Sequence, residues 1–218
     1  MDPKQKGLFL TFEGLDGSGK TCLADKLSCW LKAQGYEVEY VSSVGFEPID
    51  RVTTLLLEDK SIYDPYAHLF LSYANSRVLI KTVIEPGIRG GKVVILDRYF
   101  HSSIAYSLPL GLPRDWMSEI SSVLLKPDKV IYCDVSIETA LIRKGERIAN
   151  VEVGFQPQIN PSDAFRTYQT KVKEGYEAMI REDPDQFIVI PNENILDTAE
   201  ADLITKMENF LHRRKEHS

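Results

Sequence analysis

Residues Leu8-Phe9-Leu10-Thr11-Phe12-Glu13 run directly into Gly14-Leu15-Asp16-Gly17-Ser18-Gly19-Lys20-Thr21, and residues 21–34 then continue as an amphipathic stretch that ends before Gly35. An apolar strand, the spacing G-x-x-x-x-G-K-[S/T] and a helix, in that order, form a cradle for phosphate. The glycines permit backbone geometry and close approach that a side chain would block, so successive N–H groups can turn inward around an anion. Thr21 opens a helix whose positive end faces the same anion. These eight residues, Gly14, Leu15, Asp16, Gly17, Ser18, Gly19, Lys20 and Thr21, are expected to bind ATP. Lys20 bridges the β- and γ-phosphates as a point charge, and the Thr21 hydroxyl ligates Mg²⁺.

Outward from this loop, strand-like runs rich in Val, Ile, Phe and Tyr recur at 8–13, 37–42, 93–97, 129–135 and 187–191. Segments of helical periodicity separate them, which is the pattern of an α/β protein with a parallel sheet covered on both faces. Residues 64–85 carry an apolar stripe through Ala67, Leu71, Ala74, Val78 and Val83. Residues 163–181 place Phe165, Tyr168, Val172 and Tyr176 at spacings of three and four, and 198–211 repeat the device with Ala201, Ile204 and Phe210. Residues 148–161, with Gly154, Pro157 and Pro161, break this regularity and read as a functional lid or a disordered loop. The chain of 218 residues is 43% hydrophobic, enough for one domain over 1–218, with the lid at about 143–161.

Charge and cysteine content narrow the function. Lys and Arg total 26 against 32 Asp and Glu, a net charge of −6, which argues against a general nucleic-acid or membrane-surface binder. An anionic ligand must therefore be held by a local cluster of positive groups. Cys22, Cys29 and Cys133 lack metal-site spacing and read as reduced, mostly buried thiols. The polar N-terminus is too short for a signal or a membrane span, so a cytoplasmic location is expected.

Further residues gather around the loop. Val93-Val94-Ile95-Leu96-Asp97-Arg98-Tyr99 ends a strand in a carboxylate followed by a guanidinium. Asp97 is placed to hold Mg²⁺ or one of its waters, and Arg98 to grip two phosphate oxygens through its planar fork. A carboxylate at Asp16, inside a phosphate loop, needs a compensating metal or cation, for which Mg²⁺ and Arg98 are the candidates. Glu47-Pro48 follows the second strand and either faces the cleft or is simply exposed. Arg143 and Arg147 are four apart, on one helical face at the edge of the lid, where they either stabilise the transferring phosphoryl group or are ordinary solvated charges.

At these residues the chain resembles the thymidylate kinase family. The segment 12–21, Glu47-Pro48, and Asp97-Arg98-Tyr99 with Ser102, Ser103, Ala105 and Tyr106 look like its three motifs; Lys126-Pro127-Asp128 and Val172…Gly175-Tyr176 extend the likeness over most of the chain. The resemblance implies a three-layer α/β/α P-loop kinase fold with a five-stranded parallel sheet, a homodimer, and transfer from ATP-Mg²⁺ to the small-molecule nucleotide dTMP. On that basis Asp16 and Arg98 position the acceptor phosphate, and Ser103 and Tyr106 line the acceptor pocket. Gly17 stands where some members carry an Arg; members lacking it place arginines in the lid, matching Arg143 and Arg147. This chain departs from the family in reading Phe46-Glu47-Pro48-Ile49-Asp50, without an Arg before Glu-Pro, and in lacking the family's charged residues after Arg147.

Phe70, Tyr73 and Arg77 fall at spacings of three and four on the long helix. Phe70 and Tyr73 are either core residues or a stacking surface for the acceptor base, with Arg77 donating to a base carbonyl and so favouring thymine over cytosine. A deoxynucleoside kinase, with Glu47 as the base that deprotonates a hydroxyl, is the closest rival reading. A non-catalytic nucleotide-binding relative is the other.

Overall fold

The computed structural model describes residues 7–42, 49–59, 61–145, 147–155, 160–193 and 196–216. Five strands form one parallel sheet: β1 (Leu8–Gly14), β2 (Val38–Ser42), β3 (Val93–Asp97), β4 (Lys129–Asp134) and β5 (Phe187–Pro191), in the order β2-β3-β1-β4-β5. All five lie where the apolar runs place them, with boundaries shifted by one residue in β1, β2 and β4. β1 is central and buried at every residue. Its side chains alternate between the two faces: Leu8, Leu10 and Phe12 join one core with Leu23, Leu27 and Leu31 of α1 (Lys20–Ala33). Phe9 points into the other. Two cores on opposite faces of one sheet make the three-layer α/β/α architecture.

The remaining helices are α2 (Ile49–Glu58), α3 (Pro65–Leu79), α4 (Glu85–Arg89), α5 (Phe100–Ser107), α6 (Arg114–Ser121), α7 (Ile137–Lys144), α8 (Pro161–Glu182) and α9 (Leu196–Glu216). The helix expected over 64–85 is continuous through a π-helical turn at Ile80–Ile84 into α4. Pro86 has no N–H and its ring would clash with a carbonyl of the preceding turn, which the wider turn relieves. The buried residues of α3 are Leu69, Tyr73, Asn75, Ser76 and Leu79, in place of the expected stripe, and Ala74 is exposed. The helix covers a cleft that takes polar side chains, so the apolar pattern misleads. In α9 the period holds but the phase moves: Ala199, Leu203, Met207 and Leu211 are the buried positions. In α8 Phe165, Tyr168, Val172 and Tyr176 are buried, as the spacing predicts. The cysteines differ from expectation, since only Cys133 is buried; Cys22 and Cys29 lie one heptad apart on the outer side of α1.

Gly87 shows how closely α4 lies on the sheet. A Cβ there would sit 2.5 Å from Val94 Cγ2, in a fully buried part of β3. Gly87→Ala is expected to destabilise the fold by about 2–3 kcal/mol through overpacking. Gly35→Ala, with φ +88° but open space around it, should cost about 1 kcal/mol, from backbone strain alone. Chemical denaturation of the two variants checks this; equal losses would contradict the close contact.

Candidate active site

The loop between β1 and α1 is built from strained turns that only glycine accepts easily. Gly17 has φ +84°, and a Cβ on it would lie 2.4 Å from the Ala140 carbonyl oxygen at α7. A Cβ on Gly19 would lie 2.6 Å from Asn192 Nδ2. That amide donates to the Ser18 carbonyl at 2.6 Å, so the end of β5 braces the loop from behind. Lys20 and Thr21 start α1 at the carboxyl edge of the sheet. Thr21 Oγ1 donates to Asp97 Oδ2 at 2.6 Å, and Tyr40 Oη, from the middle of β2, donates to the same oxygen at 3.4 Å. A hydroxyl beside a carboxylate is the oxygen donor set that Mg²⁺ accepts. Among the described residues no group of three or more His, Cys, Asp or Glu forms a metal site, so an ion held here would take its other ligands from phosphate and water.

Arg98 follows Asp97 and occupies the left-handed region with φ 68°. A non-glycine residue is held there only when its surroundings over-determine it. They do: Nη2 donates to Asp16 Oδ1 at 2.6 Å and to Tyr106 Oη at 3.3 Å, and Nη1 donates to Ser102 Oγ at 2.9 Å. Tyr106 Oη in turn donates to Asp16 Oδ2 at 2.7 Å, and Lys20 Nζ lies 3.9 Å from Asp16 Oδ1. Burial works to raise the Asp16 carboxyl, but Arg98, Lys20 and the Tyr106 hydroxyl outweigh it and hold the group at about 2. The Lys20 ammonium is pushed down by burial and by Arg98. Asp16 therefore stays ionised between two cations that a phosphate can also engage.

A cavity of about 290 Å³ opens from this cluster, lined by Asp16, Arg98, Ser103 and Tyr106, by Thr53, Thr54 and Leu57 of α2, and by His68, Leu69, Ser72, Asn75 and Ser76 of α3. The base-reading trio expected on α3 does not reach it. Phe70 is exposed and packs edge-on against Trp116. Tyr73 Oη is bonded to Ser121 Oγ at 2.7 Å, and Arg77 Nη1 donates to the Val123 carbonyl at 2.8 Å. These three face α6 and the turn after it, and Ser72, Asn75 and Ser76 line the cavity in their place. Glu47, with Phe46 and Pro48, lies outside the described residues.

The two lid arginines do not share a helical face. α7 ends at Lys144, and Gly145, with φ 57°, turns the chain so that Arg147 is exposed beyond it. Arg143 stays beside the phosphate loop: Nη2 donates to the carbonyls of Asn192 at 2.7 Å and Glu193 at 3.1 Å. Its Nη1 is buried with no hydrogen-bond partner among the described residues. The segment expected to be irregular holds a 3₁₀ turn, Asn150–Val153, and a buried acid that composition alone passes over. Glu152 pairs with Lys144 at 2.6 Å and lines the cavity. Sequence reading also passed over Asn192, Tyr40 and the support behind Arg98. The only signal for Glu152 was a single carboxylate in an otherwise uncharged stretch.

That support is Glu13, fully buried on β1. Its Oε1 accepts from the Tyr99 N–H at 2.8 Å, and Oε2 accepts from Tyr176 Oη at 3.0 Å and from Ser102 Oγ. Burial pushes its carboxyl from 4.5 up to about 7, against the lowering effect of Ser102, Arg98, Tyr99 and Tyr176. The folded protein therefore binds this proton more tightly than the unfolded chain, a contribution to stability present below pH about 4.5 and lost as pH rises through about 7. Relative to Glu13→Gln, the wild-type protein is expected to lose up to about 3 kcal/mol between pH 5 and 8. Thermal melts of both across that range check it. Parallel curves would contradict a buried, protonatable Glu13.

Comparison with known proteins places this geometry. The thymidylate kinase family model matches residues 12–203. Thymidylate kinase from Thermoanaerobacter sp. (strain X514) is 32% identical over 212 residues, covering 94% of this chain and 100% of the relative. Thymidylate kinase from Chlorobium chlorochromatii is 31% identical over 213 residues, covering 94% and 96%. A probable thymidylate kinase from Sulfurisphaera tokodaii is 34% identical over 174 residues, covering 79% and 85%. The match begins in β1, takes in the phosphate loop, the Asp97-Arg98 strand end and the other four strands, and ends in α9; the chain belongs to the thymidylate kinase family.

Proposed function

We propose that this chain transfers the γ-phosphoryl group of ATP to the 5′-phosphate of dTMP, giving dTDP and ADP. The observation that carries this reading is Arg98, fixed by Asp16, Ser102 and Tyr106 beside the phosphate loop and lining the adjoining cavity. An acceptor that brings its own negative charge suits a guanidinium held in that way. A phosphate monoester, with its second pKa near about 6, is largely dianionic at neutral pH and needs positioning and no general base. A deoxynucleoside kinase needs a base on the acceptor hydroxyl, and in the described cavity the acids are Asp16, tied to Arg98, and Glu152, tied to Lys144.

In this reading the loop N–H groups and Lys20 bind the β- and γ-phosphates, and Arg98 orients an acceptor phosphate oxygen toward the γ-phosphorus. Thr21 and Asp97 would hold Mg²⁺, which when bound neutralises charge on the ATP phosphates. Arg143, anchored beside Gly19, brings a cation to the donor side of the loop, and Arg147 lies on the lid at 143–161. Ser103 and Tyr106 line the acceptor pocket, Glu47 belongs to the motif after β2, and the whole chain acts as one kinase domain. A homodimer is supported by apolar side chains left exposed on α2, α3 and the turn after α6, among them Val52, Leu55, Phe70 and Val123. No helix among the described residues is long and apolar enough to cross a membrane, and the three thiols are free; we place the protein in the cytoplasm.

Purified protein with ATP-Mg²⁺ should release ADP in the presence of dTMP and not of thymidine. Lys20→Ala is expected to lower that turnover at least about a hundredfold, because the loop cation on the transferring phosphates is lost. Arg98→Lys should be comparably severe, since an ammonium cannot replace the bidentate fork. Turnover on thymidine but not on dTMP would replace this reading with that of a nucleoside kinase.

A further inference from the structure

Every charge that lines the cavity among the described residues belongs to Asp16, Arg98 or Glu152, and each of these has an ionic partner. The face that α3 presents to the cavity is neutral. Ser76 Oγ donates its proton to the Ser72 carbonyl at 2.9 Å, and Ser72 Oγ donates to the His68 carbonyl at 2.9 Å. Each oxygen keeps lone pairs for a ligand, and each hydroxyl can rotate to donate instead. Asn75 beside them carries both a carbonyl and an amino group, and burial lowers the His68 imidazole toward its neutral form, one nitrogen donating and one accepting. Arg77, the nearest cation along α3, is committed to the Val123 carbonyl outside the cavity. Residues 43–48, Ser-Val-Gly-Phe-Glu-Pro, contain no lysine, arginine or histidine.

A fixed cation can only donate. It accepts a base carbonyl and repels an amino group in the same place, because the mismatch leaves two donors facing each other. Hydroxyl, amide and neutral imidazole groups can each donate or accept, so they pay no such mismatch. We propose that the acceptor pocket does not distinguish a 4-carbonyl from a 4-amino pyrimidine, and that the enzyme phosphorylates dCMP with an efficiency comparable to dTMP. This rests on the monophosphate kinase reading above. The chemistry is identical for both acceptors: an oxygen of the acceptor 5′-phosphate forms a bond to the γ-phosphorus, the bond from that phosphorus to the β,γ-bridging oxygen breaks, and ADP leaves with the electron pair.

The test is kcat/KM for dTMP, dUMP and dCMP with wild-type enzyme and ATP-Mg²⁺, by ADP release with product chromatography. Values for dTMP and dCMP within about tenfold are expected, and a larger preference for dTMP would overturn the inference. Turnover on none of the three would instead remove the kinase reading, and this inference with it. Ser76→Arg puts a cation where the hydroxyl stands. In a variant that retains dTMP turnover and an unchanged KM for ATP, kcat/KM for dCMP should fall at least about tenfold relative to dTMP. An unmoved ratio would mean that α3 does not read the base.

Discussion

The site depends on one buried ion pair, Asp16 with Arg98. Both groups are largely withdrawn from water, and a charge so placed is costly unless it is paired and hydrogen-bonded. Here each is satisfied by the other and by Tyr106, Ser102 and Lys20. The pair links two loops distant in sequence, the phosphate loop after β1 and the turn after β3, which adjoin because β1 and β3 are parallel neighbours. It also holds Arg98 in a left-handed backbone conformation that the residue alone disfavours. Removing Arg98 would leave Asp16 with only the Lys20 ammonium at 3.9 Å as a counter-charge.

The layers behind the pair extend that organisation. Glu13 on β1 receives the Tyr99 N–H and the hydroxyls of Ser102 and Tyr176, so β1, α5 and α8 meet on one carboxylate directly behind Arg98. On the other side of the loop, Asn192 after β5 holds the Ser18 carbonyl with its side chain and Arg143 with its backbone carbonyl. Donor and acceptor halves of the site are thus each braced by a strand end, and rigid supports of this kind are what keep reacting groups aligned.

The fold was readable from the sequence because its signals are local and redundant. Five apolar runs followed by turns or helix starts, together with G-x-x-x-x-G-K-[S/T], specify a parallel sheet with helices on both faces. The phosphate loop, Asp97 and Arg98 were legible for the same reason: their chemistry is carried by residue type at a strand end. The wall of the acceptor cavity was not legible. α3 buries Asn75 and Ser76 and exposes Ala74 and Phe70, contrary to its hydrophobic pattern, since a helix over a polar cleft does not follow the rule for one over a core. Arg147 was displaced from the face of Arg143 by one left-handed glycine. Asn192 gains its role only through a contact 174 residues back along the chain, to Ser18, and Glu152 through the 3₁₀ turn that brings its carboxylate onto Lys144 and the Ala149 N–H.

On the proposed reading, the pocket beside the phosphate loop receives an acceptor that carries its own charge. Calorimetric titration of the wild-type protein with dTMP and with thymidine, under identical salt and pH, tests it most directly. Binding of dTMP is expected to be at least about a hundredfold tighter, because its dianionic phosphate gains charge-assisted hydrogen bonds from Arg98. Equal affinities for the two would contradict it.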